Sequence, residues 1–211
     1  MFLEAPRWRA LDRSQWQPGG DEAAIAALLD MVEEGAPDVA AHMERTARLA
    51  RLFSLEVGLS DPLHQLVVRT ARLHDIGKLA IPPWVREKPA PLSESEHRIM
   101  RAHPVTGQAI LERRPMLARL GALVRATHER WDGKGYPDGL KGSLIPLPAR
   151  MVAVCDAFDA MTSARPYSRP MSIHRAIDEL RRCAGTQFDP GAVEPFCDVL
   201  EDRIDQWARG A

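Results

Sequence analysis

Apolar residues recur at three- and four-residue intervals along most of the chain, and this spacing predicts α-helices. One helix is predicted from Asp21, which suits a capping position, and the next begins near Pro37 and ends before Gly58. Ser93 and Glu96 form a capping-box pattern in front of another helix. Further helices are predicted for LHQLVVRTARLHD, VTGQAILERR, MLARLGALVRATHERW, PARMVAVCDAFDAMT, HRAIDELRRC and a terminal segment from about Gly191.

Signals for β-strands are weak, because aromatic residues make up only 6% of the chain and no run alternates apolar and polar positions. The predicted fold class is therefore all-α. Residues 1–36 are interpreted as an N-terminal leader and helical arm, and residues 37–211 as the main domain. Charges and Pro6 interrupt the first residues, so a signal peptide is not expected there.

The composition is that of an ordinary globular enzyme domain, with 45% apolar and 27% charged residues in 211. A formal net charge of −1 leaves no basic field for a nucleic acid polymer. No apolar stretch reaches the roughly 18 to 20 residues of a membrane span. Cys155, Cys183 and Cys197 are odd in number and lack close pairs, which predicts no disulfide framework and favours a reducing cytoplasm.

Several histidines and aspartates stand at spacings that suit a metal site. Asp38 and His42 are four residues apart, so both would lie on one face of a helix. His74 and Asp75 are adjacent and offer a neutral nitrogen and an anionic oxygen, and the two oxygens of an aspartate can bridge two ions. His103 directly precedes a proline, where a helix is expected to break and can aim a side chain inward.

Two further aspartates share the apolar helix VAVCDAFDAMT, where a carboxylate is costly unless it is paired or metal-bound. Asp159 is interpreted as an acceptor that orients a histidine ligand, with a helix-face salt bridge as the alternative. Asp156 is the other candidate. His64, His97 and His174 match none of these patterns and are predicted to lie on the surface.

The string LHDIGK at residues 73–78 and the string HERWDGKGYPDGL at residues 128–140 resemble the HD-GYP family, a branch of the HD-domain metal-dependent phosphohydrolases. The resemblance runs from about Pro37 to about Asp198. It implies an HD-domain-like helical bundle with a glycine-rich GYP loop beside a metal site. The positions that match the family's metal ligands are Asp38, His42, His74, Asp75, His103, His128 and Asp156.

The resemblance also implies an activity. Members of the family hydrolyse cyclic di-GMP to linear pGpG and often onward to GMP. Two divalent ions, iron or manganese, would hold a hydroxide for the attack, and Asp75 is the best candidate to bridge them. A glutamate at the first ligand position accompanies a third ion in some members, and the shorter Asp38 stands there in this chain. Cyclic di-GMP is thus the implied ligand, and a diguanylate cyclase or another signalling protein could dock on the GYP loop.

Four residues outside the ligand set are expected to contact substrate. Lys78 and Arg165 would bind phosphate, and Lys78 would also act in catalysis by stabilising negative charge, unless it only neutralises a helix C-terminus. Ser168 stands where the family has a basic residue, and Arg169 could compensate for it. Tyr136 would stack on or hydrogen-bond a guanine, or instead hold the loop or meet a partner.

One position departs from the family. Two adjacent histidines usually precede the Glu-Arg-Trp-Asp-Gly string, and here Thr127 and His128 stand there. Threonine is a weak neutral donor, so one ion is expected to bind less tightly. Three functions stay open from the sequence: an active cyclic di-GMP phosphodiesterase, a weakened module that binds nucleotide or partners, and a phosphohydrolase for another cyclic dinucleotide or a mononucleotide.

Overall fold

The computed structural model describes residues 20–163 and 169–210, with side chains described for residues 21–163 and 169–204. This part of the chain is built from helices without a β-strand, and the prediction of an all-α fold is confirmed. The α-helices are α1 Gly20–Gly35, α2 Pro37–Glu56, α3 Asp61–Leu73, α4 Pro83–Arg86, α5 Glu94–Met100, α6 His103–Glu112, α7 Ala118–Arg125, α8 Leu147–Thr162, α9 Ile173–Cys183 and α10 Pro190–Gly210. Short 3-10 helices cover Ile76–Ala80, Pro115–Leu117 and Gly142–Leu144.

Local sequence signals account for several helix starts. Pro37 is the first residue of α2, where a missing backbone N–H costs nothing. Ser93 and Glu96 form the predicted capping box in front of α5. α1 begins at Gly20, one residue before the predicted cap. Asp21 therefore lies in its first turn, where its carboxylate accepts a hydrogen bond of 3.1 Å from Nη1 of Arg69.

The larger hydrophobic core lies between α2, α3, α8, α9 and α10. Phe196 of α10 sits at its centre and packs edge to face against Phe53 of α2 and Phe158 of α8, with ring centroids 5.1 and 5.6 Å apart. Such aromatic pairs add to the stabilisation from burial alone. Because α2, α3 and α8 carry predicted metal ligands, this core fixes the relative positions of those ligands.

A second core joins α1 to α6 and α7. Ile25 and Val32 of α1 are fully buried there, together with Leu73 and Ile76 on either side of the His-Asp pair. α1 thus supports the turn that carries this pair. Where the helical arm ends and the main domain begins stays a prediction, and residues 1–19 lie outside the described part.

Two predictions about the local structure are wrong. The helix predicted to run through Trp131 ends at Arg125, because the amide of Thr127 bonds to the carbonyl three residues back and closes the helix. The amide of Trp131 pairs instead with the carbonyl of Gln187 at 3.1 Å, so the chain leaves the helix direction. His128 consequently lies on the loop that follows α7.

His64 was predicted on the surface and is buried, with 8% of its surface exposed. Its Nδ1 lies 2.8 Å from Oγ of Ser54 on α2, and this neighbour from another helix could not be read from the sequence. His97 and His174 are exposed as predicted. Among the described helices, none is both long enough and apolar enough to cross a lipid bilayer.

Candidate metal centre

The His-Asp pair occupies a tight turn between α3 and the following 3-10 helix. His74 caps α3, and Asp75 precedes Ile76–Ala80. Gly77 packs directly on α6: a Cβ atom there would lie 2.0 Å from the carbonyl oxygen of His103. Only glycine allows this approach, which brings the His-Asp turn against the first residue of α6.

The first group of candidate ligands comes from three different elements. His42 on α2, His74 at the end of α3 and Asp156 on α8 have donor atoms within 4.8 Å of one another. The Nε2 atom of His42 lies 2.9 Å from Oδ1 of Asp156, and Nε2 of His74 lies 3.9 Å from the same oxygen.

The second group combines Asp75 with His103 and His128. Oδ1 of Asp75 lies 3.1 Å from Nε2 of His103 and 3.7 Å from Nε2 of His128. The two imidazole Nε2 atoms are themselves 2.8 Å apart. His128 reaches the group from the loop after α7. This loop therefore lies beside Asp75, at the end of α3.

Asp75 connects the two groups. Its Oδ1 faces the second group, whereas its Oδ2 lies 3.4 Å from Nε2 of His74 and 3.7 Å from Nε2 of His42. One carboxylate therefore presents one oxygen to each set of imidazoles. This is the arrangement that bridging of two ions requires, and it agrees with the role expected for Asp75.

Backbone carbonyls select the histidine tautomers. Nδ1 of His74 lies 2.9 Å from the carbonyl of Ala71, and Nδ1 of His103 lies 2.8 Å from the carbonyl of Met100. A carbonyl accepts only, so each Nδ1 must carry the proton and each Nε2 must offer its lone pair to the site. Hydrogen bonding from the other ring nitrogen in this way is typical of metal-binding histidines.

The donor atoms fit a divalent cation. Within the described part of the chain, Nε2 of His74 and Oδ1 of Asp75 are buried without a hydrogen-bond partner. The 3.1 Å contact between Oδ1 of Asp75 and Nε2 of His103 does not relieve this, since both atoms are acceptors. An unsatisfied buried polar atom costs about 1 to 3 kcal/mol. A cation between these lone pairs removes that cost, and imidazole with carboxylate suits transition metals.

The charges of the site follow from burial and neighbours. Burial alone would raise the pKa of Asp75, but the ammonium of Lys78 holds it well below its usual value. Burial lowers the pKa of His128, so its imidazole is neutral and available as a ligand. For His42, burial acts downward, but hydrogen bonds to Asp156 and Asp159 outweigh it and raise the pKa to about 9.

Lys78 lies at the same carboxylate. Its Nζ donates to Oδ2 of Asp75 at 2.5 Å, and its side chain is partly exposed. The lysine is thus adjacent to both candidate ligand groups, where it neutralises the buried aspartate. Its predicted contact with substrate phosphate stays a prediction.

The remaining predicted residues are placed as follows. Asp38 is exposed in the first turn of α2 and belongs to neither ligand group, so its role stays a prediction. Thr127 is buried, and its hydroxyl donates to the carbonyl of Val124 at 2.8 Å; the group that contains His128 is assembled without it. Arg165 lies outside the described residues. Arg169 is exposed.

The loop after α7 is fastened by a glutamate that the sequence analysis did not single out. Glu129 is buried, and its two oxygens accept the backbone amides of Asp138 at 2.6 Å and Leu140 at 3.0 Å. Burial raises the pKa of Glu129, while these amides act in the opposite direction. At Gly135 a Cβ would lie 2.3 Å from the amide nitrogen of Arg130, so the loop closes on itself only with glycine there.

Tyr136 links this loop to the candidate metal centre. Its ring stacks on the imidazole of His128, with centroids 5.3 Å apart and planes inclined by 1°. Its amide donates to the carbonyl of His128 at 3.2 Å. The tyrosine thus supports the loop, which was one of the roles predicted for it, and its proposed contact with a guanine stays a prediction.

A cavity of about 450 Å³ opens beside the two ligand groups. His128, Tyr136 and Asp156 line its wall. Arg101 and Lys134 add positive charge to the same wall. Candidate metal ligands and basic side chains thus line the same cavity, and this combination suits an anionic ligand.

Comparison with known proteins agrees with this geometry. The HD domain family matches residues 26–192, which is most of the chain. The chain belongs to the HD-domain family. The resemblance drawn from the sequence is thereby confirmed.

Several curated relatives of this HD domain carry names of phosphodiesterases. The cyclic di-GMP phosphodiesterase response regulator RpfG of Xanthomonas campestris is 39% identical over 176 residues, covering 82% of this chain and 47% of that protein. The cyclic di-GMP phosphodiesterase of Thermotoga maritima is 40% identical, covering 80% and 46%. The 3'3'-cGAMP-specific phosphodiesterase 2 of Vibrio cholerae is 36% identical, covering 84% and 34%. The chain spans about half the length of the first two relatives.

Solved HD-domain structures share the fold. The HD domain of the phosphodiesterase PgpH of L. monocytogenes has a TM-score of 0.62 at 18% identity and covers 86% of this chain and 98% of that one. Bd1817, an HDG"Y"P protein of Bdellovibrio bacteriovorus, has a TM-score of 0.62 at 19% identity and covers 76% and 51%. At such identities the likeness extends to the fold alone.

Proposed function

We propose that this HD domain is a metal-dependent phosphodiesterase that hydrolyses cyclic di-GMP to pGpG. The observation that carries the proposal is the bridging geometry of Asp75, whose two oxygens face two separate ligand groups. One member of each group, Asp156 and His128, lines the same cavity. A single structural ion would need only one such group, whereas a pair of ions is the usual device for displacement at phosphorus.

We propose that one ion is held by His42, His74 and Asp156, the other by His103 and His128, with Asp75 between them. Iron and manganese both suit this mixture of imidazole and carboxylate. Such ions, when bound, supply a nucleophile at neutral pH and neutralise charge on the phosphoryl group. Asp38, one helical turn before His42, stays a proposed ligand for a third ion.

The protein's own groups then have separate tasks. The carbonyls of Ala71 and Met100 orient the rings of His74 and His103 and place the proton of each neutral imidazole on Nδ1, so that Nε2 is directed at the site as a ligand. Lys78 holds positive charge beside Asp75, where it would attract and orient a phosphate and stabilise negative charge as the bond to phosphorus breaks. Removing the lysine should therefore reduce turnover more than metal content.

The proposed substrate class rests on the cavity and the relatives. The cavity holds cations next to the ligand groups and is large enough for a substantial part of a dinucleotide. Relatives named for cyclic di-GMP are 39 and 40% identical. A second candidate substrate is 3'3'-cGAMP, since a relative named as specific for it is 36% identical. Both substrates have the same two phosphodiester bonds and differ in one base.

Chromatography of the products tests the proposal. Protein reconstituted with Mn²⁺ or Fe²⁺ would be incubated separately with cyclic di-GMP, 3'3'-cGAMP and cyclic di-AMP, and the linear products would be separated. We expect pGpG from cyclic di-GMP, loss of activity in His74→Ala, and wild-type activity in His97→Ala, whose exposed histidine lies outside both groups. Metal-loaded protein that leaves cyclic di-GMP intact but cleaves 3'3'-cGAMP would favour the second candidate, and cleavage of neither would refute the proposed function.

We also propose that the protein works in the reducing cytoplasm. All three cysteines are free thiols, and Cys155 and Cys197 are buried. Burial raises the pKa of Cys155, which keeps the thiol protonated and inert.

A further inference from the structure

Arg101 is an exposed cation that is tied to the metal centre by stacking. Its guanidinium carbon lies 5.5 Å from the centroid of the Tyr136 ring, and that ring stacks on His128 at 5.3 Å. Arg101 caps α5 two residues before His103. The three planar groups, which we name the Arg101–Tyr136–His128 stack, thus run from the cavity wall to a candidate metal ligand.

The positive charge of Arg101 is available to a ligand. Arg130, which lines the same cavity, is engaged by Asp132 at 2.8 Å. Among the residues that the structure describes, no carboxylate lies within ion-pair distance of the Arg101 guanidinium, which contacts the face of Tyr136 instead. An arginine held over an aromatic ring keeps its N–H groups at the edge, where they can bind an anion in two-point fashion.

The substrate chemistry supplies such an anion. A cyclic dinucleotide has two phosphodiesters in one ring, and hydrolysis opens one of them. The other keeps its negative charge throughout and must also be accommodated in the cavity. Resting on the function proposed above, we propose that Arg101 binds the phosphate that is not cleaved, and so holds the ring with its other phosphate at the ligand groups that reach the cavity through His128 and Asp156.

This role differs from that of a group that only supports Tyr136. A phosphate contact matters for a substrate with two phosphodiesters and much less for one with a single phosphodiester. Support of Tyr136, and through it of His128, would affect every substrate equally and would disturb the metal. The two roles can therefore be separated by the choice of substrate.

The test compares Arg101→Ala and Arg101→Lys with Arg98→Ala. Arg98 lies on α5, is exposed and pairs with Glu94 at 3.6 Å, and it does not line the cavity, so it is a matched control for loss of a surface charge. Each variant would be assayed with cyclic di-GMP and with bis(p-nitrophenyl) phosphate, which has one phosphodiester, and its metal content and circular dichroism would be recorded.

We expect Arg101→Ala to raise KM for cyclic di-GMP by about 10- to 100-fold, with a smaller change in kcat, as for the loss of a charge-assisted hydrogen bond. The fall in kcat/KM should be at least about tenfold larger for cyclic di-GMP than for the single phosphodiester. Arg101→Lys should be intermediate, because it retains charge without the planar fork.

Two results would overturn the proposal. An unchanged KM for cyclic di-GMP in Arg101→Ala would mean that the guanidinium does not bind substrate. Equal losses with both substrates, accompanied by lower metal content, would mean that Arg101 acts only through Tyr136 and His128. A wild-type protein that is inactive on cyclic di-GMP would instead refute the proposed function itself, and the wild-type assay in the same series distinguishes that case.

Discussion

His42 and Asp159 are joined by a 2.7 Å contact between Nδ1 and Oδ2, although 117 residues separate them in the chain. Arg45 donates to both oxygens of the same carboxylate, at 2.7 and 3.0 Å. Burial would raise the pKa of Asp159, but the hydrogen bonds from His42 and Arg45 lower it to about 2. The carboxylate is therefore ionised and fixes the proton of His42 on Nδ1, which leaves Nε2 to face Asp156.

We predict from this contact that Asp159→Asn weakens the binding of one ion. An amide cannot hold the imidazole in the same way, and loss of such a supporting group typically reduces metal affinity about 10- to 100-fold. Arg45→Ala should have a smaller effect in the same direction. Arg48→Ala is the control, because Arg48 is an exposed residue of α2 that pairs with Glu44 at 3.6 Å and belongs to neither ligand group. Titration with Mn²⁺ under chelator competition measures the affinities, and equal affinities in Asp159→Asn and wild type would contradict the prediction.

A second prediction concerns protons released by metal. In the metal-free protein the pKa of His42 is raised to about 9, so its imidazole is protonated at pH 7. Coordination requires the neutral imidazole, and binding at pH 7 should therefore release about one proton from this residue. Affinity should rise with pH up to about 9 and level off above it. Calorimetric titrations in two buffers of different ionisation enthalpy give the number of protons, and identical heats in both buffers would refute this.

Gly77 provides a test of the packing behind the site. A methyl group there would lie 2.0 Å from the carbonyl oxygen of His103 and 2.6 Å from the amide nitrogen of Gly107, both of which belong to the backbone and cannot rotate away. Gly77→Ala should lower the free energy of unfolding by about 1 to 3 kcal/mol or more and also reduce metal content. The matched variant Gly121→Ala lies in α7, where the new methyl meets Gln108 at 3.3 Å, and should change stability by no more than about 1 kcal/mol. Urea unfolding compares them, and equal stability of the two variants would show that the close approach is unimportant.

Thr127 offers a prediction about the position where the family usually has histidine. Its hydroxyl donates to the carbonyl of Val124, and neither ligand group includes it. Thr127→Ala should therefore keep the metal content of the wild type and lose about 0.5 to 1.5 kcal/mol of stability with the hydrogen bond. Elemental analysis and thermal unfolding check both. If metal content falls in Thr127→Ala while the fold is intact, residue 127 takes part in metal binding after all.

Much of the helical framework could be predicted from the sequence, because apolar spacing and capping residues act locally. The capping box at Ser93 and the helix start at Pro37 are examples. The His-Asp turn was also predictable, since Gly77 ends the helical pattern directly after it. Local signals failed where a residue of another helix determines burial. His64 of α3 is buried, with its Nδ1 2.8 Å from the hydroxyl of Ser54 on α2.

The supporting residues of the site were harder to predict for the same reason. Arg101 and Glu129 look like ordinary charged surface residues in the sequence. Their roles depend on Tyr136 and on the amides of Asp138 and Leu140, which approach them only after the loop has folded. Arg45 follows His42 by three residues on the same helix, and this spacing is the signal that could have identified it.

The proposed function requires that Asp75 joins two metal positions at which a phosphodiester is hydrolysed. The most direct measurement is the metal content of wild type and Asp75→Asn, determined by elemental analysis on the same samples that are assayed for conversion of cyclic di-GMP to pGpG. We expect about two ions per chain and turnover for the wild type, and for Asp75→Asn about one ion or fewer and no turnover. An Asp75→Asn protein that retains both ions and hydrolyses cyclic di-GMP at the wild-type rate would contradict this requirement.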